Sequence, residues 1–192
     1  ENLIFASGLE GLFRSTDTGK TWSRLNLPPG EYVIRIHPRN PSSILAASSG
    51  HGVFRSTDLG ETWELFSQYT FEGDFFHDLE FDPKDPQVLY AVSFYNGVFK
   101  STDGGSTWLQ KNSGLKWKNI SACCADIPQV EVDPNNGKIV YVLLPNRIIY
   151  RSSNGGESWN PANQGLKFTK EVHVLKIDPK DTMTLYAGGA NG

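Results

Sequence analysis

Between Tyr69 and Phe81 the chain gathers four carboxylates, Glu72, Asp74, Asp78 and Glu80, among Phe71, Phe75, Phe76 and His77. Two carboxylic groups roughly 5 to 10 Å apart are what cleavage of a glycosidic bond needs, one as acid and the other as base or nucleophile. Asp74, Asp78 and Glu80 are therefore the candidate catalytic residues, although their spacing singles out no pair. The aromatics beside them offer another chemistry, since flat apolar rings next to amides and carboxylates make a groove for a sugar or a polypeptide. The same mixture recurs at Phe94-Tyr95-Asn96, Lys116-Trp117-Lys118 and Pro145-Asn146-Arg147. Candidate ligand-binding residues are accordingly Phe71, Phe75, His77, Phe94, Tyr95, Trp117 and Arg147, with Phe94, Tyr95 and Trp117 the preferred contacts. The competing expectation for about half of them is packing of loop bases against strand ends.

Other chemistries find no footing. His37, His51, His77 and His173 lack metal-ligand spacing, so neither a metal nor a cofactor is expected. Cys123 and Cys124 are adjacent, a poor geometry for a disulfide, and are expected to be inert thiols. The tripeptide Asn119-Ile120-Ser121 fits a glycosylation sequon that matters only in a secretory host. With 18 basic against 21 acidic residues, a net charge of -3 and no basic run, the chain has no electrostatic footprint for nucleic acid or an anionic membrane. No apolar stretch reaches the roughly 18 residues of a membrane helix, so no membrane insertion is expected.

The elements that must position these loops come from a repeat. Ser15, Asp17, Gly19 and Trp22 recur as Ser56, Asp58, Gly60 and Trp63, as Ser101, Asp103, Gly105 and Trp108, and as Ser152, Asn154, Gly156 and Trp159. A turn motif comes before the later boxes, at His37-Pro38, Asp82-Pro83 and Asp133-Pro134, and once more at Asp178-Pro179. From turn to box Ser the distance is always 19 residues and from box Ser to box Trp always 7, whereas from Trp to the next turn it runs 15, 19, 25 and 19. All variation in length therefore falls in one loop of the unit. Each unit reads as four short strands, with an alternating run such as Val33–Ile36 before the turn, a second such as Val88–Val92 after it, a third at Gly-Val-Phe-Arg, and a fourth from the box Trp. Four such strands repeating every 41 to 51 residues, with no helical period, predict an all-β radial array, a β-propeller of four-stranded antiparallel blades.

The four boxes resemble the Asp-box, or BNR, repeat of sialidases, xyloglucanase-type glycoside hydrolases, sortilin-type receptors and photosystem II assembly factors. The resemblance covers essentially the whole chain and is specific for fold, while these families do unrelated things on one scaffold. It places the box in the hairpin between third and fourth strands, with Ser and Asp accepting backbone N–H groups, Gly at a positive φ, and Trp packed between blades. The sixteen box residues are thus expected to be structural, as are the aligned cations Arg14, Arg55, Lys100 and Arg151. In the xyloglucanase-like pattern a catalytic Asp follows the second strand, but the aligned positions here, Gly8, Ser49, Phe94, Pro145 and Ala190, are not acidic. The Arg triad of sialidases, which grips a carboxylate by bidentate pairing, has at most two counterparts among Arg24, Arg35, Arg39 and Arg147.

In such a blade the boxes and turns share one face and the loops of variable length open on the other, where insertions often mark the binding side. The expected layout is a half blade at 1–31 with the first box, blades at 32–73, 74–126 and 127–171, and a half blade at 172–192. About four blades are present, as part of a larger propeller. The expected function is non-catalytic binding of a polysaccharide or other glycan, or of a protein, through the loop face. The alternative is a glycoside hydrolase, xyloglucanase-like rather than sialidase-like, with its carboxylates partly outside this chain. Open blade edges are expected to permit association, and the resemblance implies an extracytoplasmic or secreted setting.

Overall fold

The structure, a computed structural model, describes residues 3–48, 50–68, 76–116, 127–166 and 172–189. Every described element is a strand, and all sheets are antiparallel meanders whose neighbours follow chain order. Two compact units emerge, 1–76 and 77–192. The first unit holds a three-stranded sheet, β1 (Ile4–Gly8), β2 (Gly11–Ser15) and β3 (Ser23–Arg24), and a four-stranded sheet, β4 (Tyr32–Ile36), β5 (Ile44–Ser48), β6 (Gly52–Ser56) and β7 (Glu64–Ser67). The second unit holds β8 (Phe76–Phe81), which enters it at His77, with β9 (Leu89–Ser93), β10 (Gly97–Ser101) and β11 (Leu109–Gln110). Next come β12 (Gln129–Val132), β13 (Val140–Leu143), β14 (Ile149–Ser152) and β15 (Asn160–Pro161), and then a two-stranded sheet of β16 (Val172–Ile177) and β17 (Leu185–Gly189). These are β-propeller blades, three of them with all four strands in sequence order.

The strand predicted at Val88–Val92 begins one residue later, at Leu89, and the turn before it explains the shift. Val88 N–H closes the turn onto Asp85 O, and Ile139 N–H closes the next onto Asn136 O, so neither residue joins the ladder that follows. Each turn is built by an acceptor at its first position. Asp82 Oδ1 takes the N–H of Lys84 and Asp85, Asp133 Oδ1 those of Asn135 and Asn136, and Asp178 Oδ1 those of Lys180 and Asp181. His37 does the same work through Nδ1, accepting from Arg39 N–H and Asn40 N–H, which requires the tautomer with the proton on Nε2.

Burial follows strand position. The second strands β5 and β9 are buried along their whole length, whereas first strands alternate, as in β12, where Val130 and Val132 are buried and Gln129 and Glu131 partly so. The first unit packs Leu12, Leu25, Leu27, Tyr32 and Ala46 together with Phe5, Ile34, Phe54 and Trp63. In the second unit Tyr90, Val98, Val130, Val142, Tyr150 and Trp159 make one cluster, and Leu143, Ile149, Val172 and Leu175 a second. Each such side chain contributes roughly 1.5–3 kcal/mol on burial, against about 0.2–1 kcal/mol for an exposed ion pair such as Arg55–Glu64. Apolar packing between sheets therefore dominates.

Candidate functional site

Of the predicted contact residues, the structure brings together His77, Phe94 and Tyr95. The His77 and Phe94 rings lie 5.8 Å apart and tilted, and Phe94 meets Tyr95 edge-on at 4.9 Å. His77 sits on β8, while Phe94 and Tyr95 form the turn between β9 and β10. That turn is pinned at Asn96. Its N–H donates to Ser93 Oγ, and its carbonyl accepts from Gln110 Nε2 at 2.7 Å and Asn112 Nδ2 at 2.8 Å. Tyr95 is left 58% exposed at the end of the row, a rigid aromatic edge facing solvent. Arg147 belongs to another turn, where it holds φ at 62° and its N–H donates to Leu144 O, so it does not join the row by any described contact. Phe71, Phe75 and Trp117 lie outside the described residues, as do Asp74, Asn119, Cys123 and Cys124.

Among the candidate carboxylates, Asp78 holds backbone groups of two strands. Asp78 Oδ2 accepts the Val130 N–H at 3.0 Å and Oδ1 accepts the Leu79 N–H at 2.9 Å. The same link recurs one sheet later, where Gln129 Oε1 accepts the Leu175 N–H at 2.7 Å, from the position that matches Asp78. First strands of successive blades are thus joined by a side chain of the earlier capping an edge N–H of the later, a provision for strand edges that would otherwise stay open. Glu131 extends this pattern to Ile177 N–H and pairs with Lys176. A carboxylate with both oxygens on backbone amides is fixed in place by the strands that it joins. Glu80 shares β8 with Asp78, two residues on. Among the described residues no group of His, Cys, Asp or Glu is arranged to hold a metal ion.

The boxes form one repeated hydrogen-bond unit. Ser15 Oγ donates to Asp17 Oδ1 and accepts from Gly19 N–H, while Asp17 accepts Thr21 N–H on Oδ1 and Thr21 Oγ1–H on Oδ2. Gly19 needs its φ of 85° for this, which a side chain would oppose. Ser56/Asp58/Thr62 and Ser101/Asp103/Thr107 repeat the set. The hydrogen bonds from Thr21 and Ser15 hold the Asp17 carboxyl down to about 2, and those from Thr62 and Ser56 hold Asp58 at about 2. For Asp103 burial pushes upward, but the donors Thr107 and Ser101 together outweigh it and the net direction is down. In the fourth box Asn154 Oδ1 keeps the acceptor role toward Ser158 N–H, while Nδ2 now donates to Ser158 Oγ, reversing the outer bond.

Two of the four aligned cations, Arg14 and Lys100, link neighbouring sheets. Arg14 Nη1 donates to Leu59 O at 3.1 Å and Nη2 pairs with Glu61 at 2.7 Å, and Lys100 Nζ donates to the matching Gly155 O at 2.8 Å with Glu157 at 4.0 Å. Arg55 instead pairs with Glu64 of its own sheet and lies over Phe66, and Arg151 donates to Tyr141 Oη. Nor do the box tryptophans share one environment, which corrects the expectation of a ring packed between blades at every box. Trp159 is 2% exposed and its indole N–H leaves its own box for Lys111 O, whereas Trp22 is 44% exposed and donates to Gly19 O. The inter-sheet cations were legible only as repeat features, because their partners lie 45 and 55 residues away.

A family model described as "Sortilin, neurotensin receptor 3", of the Sortilin-Vps10 type, matches residues 10–111. Among solved structures, the GH74 xyloglucanase from Xanthomonas campestris is similar at 22% identity and a TM-score of 0.72, over 91% of this chain and 30% of its own. An ancestral GH74 enzyme is similar at 17% identity and a TM-score of 0.71, over 100% of this chain and 34% of its own. YCF48 bound to D1 peptide is similar at 16% identity and a TM-score of 0.50, over 93% of this chain and 69% of its own. No curated protein sequence matches the chain. These likenesses speak for the propeller fold, and the chain spans about a third of the length of the two GH74 enzymes.

Proposed function

The chain belongs to the Sortilin-Vps10 family, and from that premise we propose that it is a non-catalytic stretch of Asp-box propeller that binds a protein or glycan partner through the loop end carrying His77, Phe94 and Tyr95. One observation carries the reading. The three rings form a continuous row whose outermost member is 58% exposed, on a turn held by two side-chain amides. Rings already fixed in place lose little conformational entropy on binding and offer large contact area, the properties of an interface anchor. Phe71, Phe75, Trp117 and Arg147 would extend the contact from neighbouring loops. A structural relative bound to a peptide supports the protein side of the reading, and the xyloglucanase likeness supports the glycan side. The family relationship favours an extracytoplasmic setting.

The second reading, a glycoside hydrolase, draws on the two GH74 likenesses. It would have to run on Asp74 and Glu80 together with groups beyond this chain, since both oxygens of Asp78 serve backbone amides. One experiment weighs both readings. The protein is presented to β-glucans, sialosides and short peptides, with retention and cleavage read in parallel. Retention without cleavage, weakened about tenfold by Tyr95→Ala or Phe94→Ala, is the expected outcome. Retention indifferent to both substitutions removes this contact row, and turnover abolished by Asp74→Asn or Glu80→Gln establishes the hydrolase.

A further inference from the structure

The turns β4–β5, β8–β9, β12–β13 and β16–β17 each carry an acceptor at the fourth position, Asn40, Asp85, Asn136 and Asp181. In each, Oδ1 takes the N–H two residues on, from Ser42, Gln87, Lys138 or Met183. The residue skipped by that bond is Pro41 in the first turn and Pro86 in the second, so the seat calls for no N–H donor. In the β12–β13 turn the same seat holds Gly137, and among the described residues nothing accepts its N–H. Glycine is required there by a neighbour, because a Cβ on Gly137 would fall on the Asp82 carboxylate of the β8–β9 turn.

This arrangement lets the turn react with itself. The backbone nitrogen that follows an asparagine can attack the side-chain Cγ, and glycine puts no Cβ in its way. The Lys138 N–H on Asn136 Oδ1, at 3.2 Å, folds the side-chain carbonyl back along the turn, with the Gly137 nitrogen inside the ring that the bond closes. The same bond polarises the carbonyl under attack. Asn136 is exposed, so water reaches the product. The two other described Asn-Gly pairs are held. Gly155 N–H donates to Lys138 O at 2.9 Å, and both ends of the Asn154 amide are bonded within its box. Gly97 is buried in the β9–β10 ladder opposite Ser93. Asn191-Gly192 lies outside the described residues.

We propose that Asn136 is a site of spontaneous modification, deamidated in the folded protein by attack of the Gly137 nitrogen on Cγ. A bond forms between that nitrogen and Cγ, the bond from Cγ to Nδ2 breaks, and ammonia leaves with the Gly137 amide proton. Water then opens the cyclic imide at one of its two carbonyls, giving aspartate or isoaspartate. Aspartate fits a seat that Asp85 and Asp181 already fill in their own turns. Isoaspartate carries the chain through its side-chain carbon and lengthens the backbone just before Gly137. The Gly137 carbonyl accepts the Tyr90 hydroxyl at 3.3 Å and its Cα lies against Asp82, so the isoaspartyl product loosens the joint between the β8–β11 and β12–β15 sheets. The site is independent of the loop-end reading above, because none of its residues belongs to the His77–Tyr95 row.

Incubation at mildly alkaline pH, with peptides mapped by mass spectrometry over time, tests the site. Asn136 should convert about tenfold or more faster than Asn154 or Asn96, the factor of one hydrogen bond that must first break at the held pairs. In urea the three rates should converge. Conversion of Asn136 no faster than Asn154 in the folded protein overturns the proposal. So does a lead for Asn136 that persists undiminished in urea, which would belong to the local sequence and not to the turn. In a denaturant titration Asn136→Asp should keep the midpoint of the unmodified chain while the isolated isoaspartyl form unfolds earlier. Coincident curves for those two would overturn the link to the joint.

Discussion

The contact between the two sheets of the first unit and the contact between β8–β11 and β12–β15 in the second solve one problem with different residues. In both, a cation on β2 or β10 of the earlier sheet donates to the carbonyl that follows the box Asp or Asn, and an aromatic on the preceding strand, β1 or β9, covers the box glycine. The first uses Arg14 and Phe5, with Trp63 packed partly buried beside them. The second uses Lys100 and Tyr90 and adds Lys111, whose Nζ pairs with Glu157 at 2.7 Å and whose carbonyl takes the Trp159 indole N–H. What is kept is the geometry of donor, carbonyl and ring. What is exchanged is chemistry, and the second contact has drawn its tryptophan into the core to do so.

The comparison predicts a steep ranking among the tryptophans. Trp159→Ala removes a buried ring and leaves Lys111 O without its donor, for an expected loss of about 3–5 kcal/mol. Trp22→Ala, at a half-exposed ring, should cost roughly 1 kcal/mol or less in the same denaturant titration. Equal losses would show that burial does not govern the difference. The cations come next. Arg14→Met and Lys100→Met each remove a charged donor from a carbonyl while keeping the apolar stem, and about 1–2 kcal/mol is expected from each. Glu61→Gln should cost far less, because Glu61 is 64% exposed and its pair with Arg14 is screened. If Glu61→Gln matched Arg14→Met, the ion pair rather than the carbonyl would be the basis of the contact.

The smallest effect separates the boxes by pH. Asp17 and Asp58 titrate near 2 in the folded protein, below the ordinary carboxylate value of 3.8. A depressed folded value means the stabilisation is present above the ordinary value and disappears as pH falls through about 2. The fourth box, with Asn154, has no carboxyl to protonate. Amide proton shifts of Thr21 and Thr62 should therefore move together as pH falls toward 2 while that of Ser158 stays flat. Converting Asp58→Asn should flatten the Thr62 curve, and a Ser158 that titrates with the others would refute the assignment.

How much of this was legible depended on the distance between partners. The boxes and turns could be read because their bonds close within four residues, as Ser15 to Gly19 and Asp82 to Lys84 do. Even the substitution of His37 for a turn Asp could be anticipated, since both present an acceptor at the same place. Asp78 could not be read. A carboxylate that caps Val130 N–H from 52 residues away has the same sequence context as one waiting for a substrate. The row of His77, Phe94 and Tyr95 was half legible. Its residue types suggested a contact surface, but only the packing of β8 against the β9–β10 turn joins the three rings.

Four of the side-chain links between neighbouring sheets share one order along the chain. Arg14 precedes Leu59, Asp78 precedes Val130, Lys100 precedes Gly155 and Gln129 precedes Leu175. In these four the side chain is the older partner and the backbone group the younger, whereas the Trp159 indole N–H on Lys111 O and the Tyr150 hydroxyl on Lys116 O run the other way. On a ribosome the chain emerges from its N-terminus, so at these four joints the side chain is in place before the backbone group that it will hold is made.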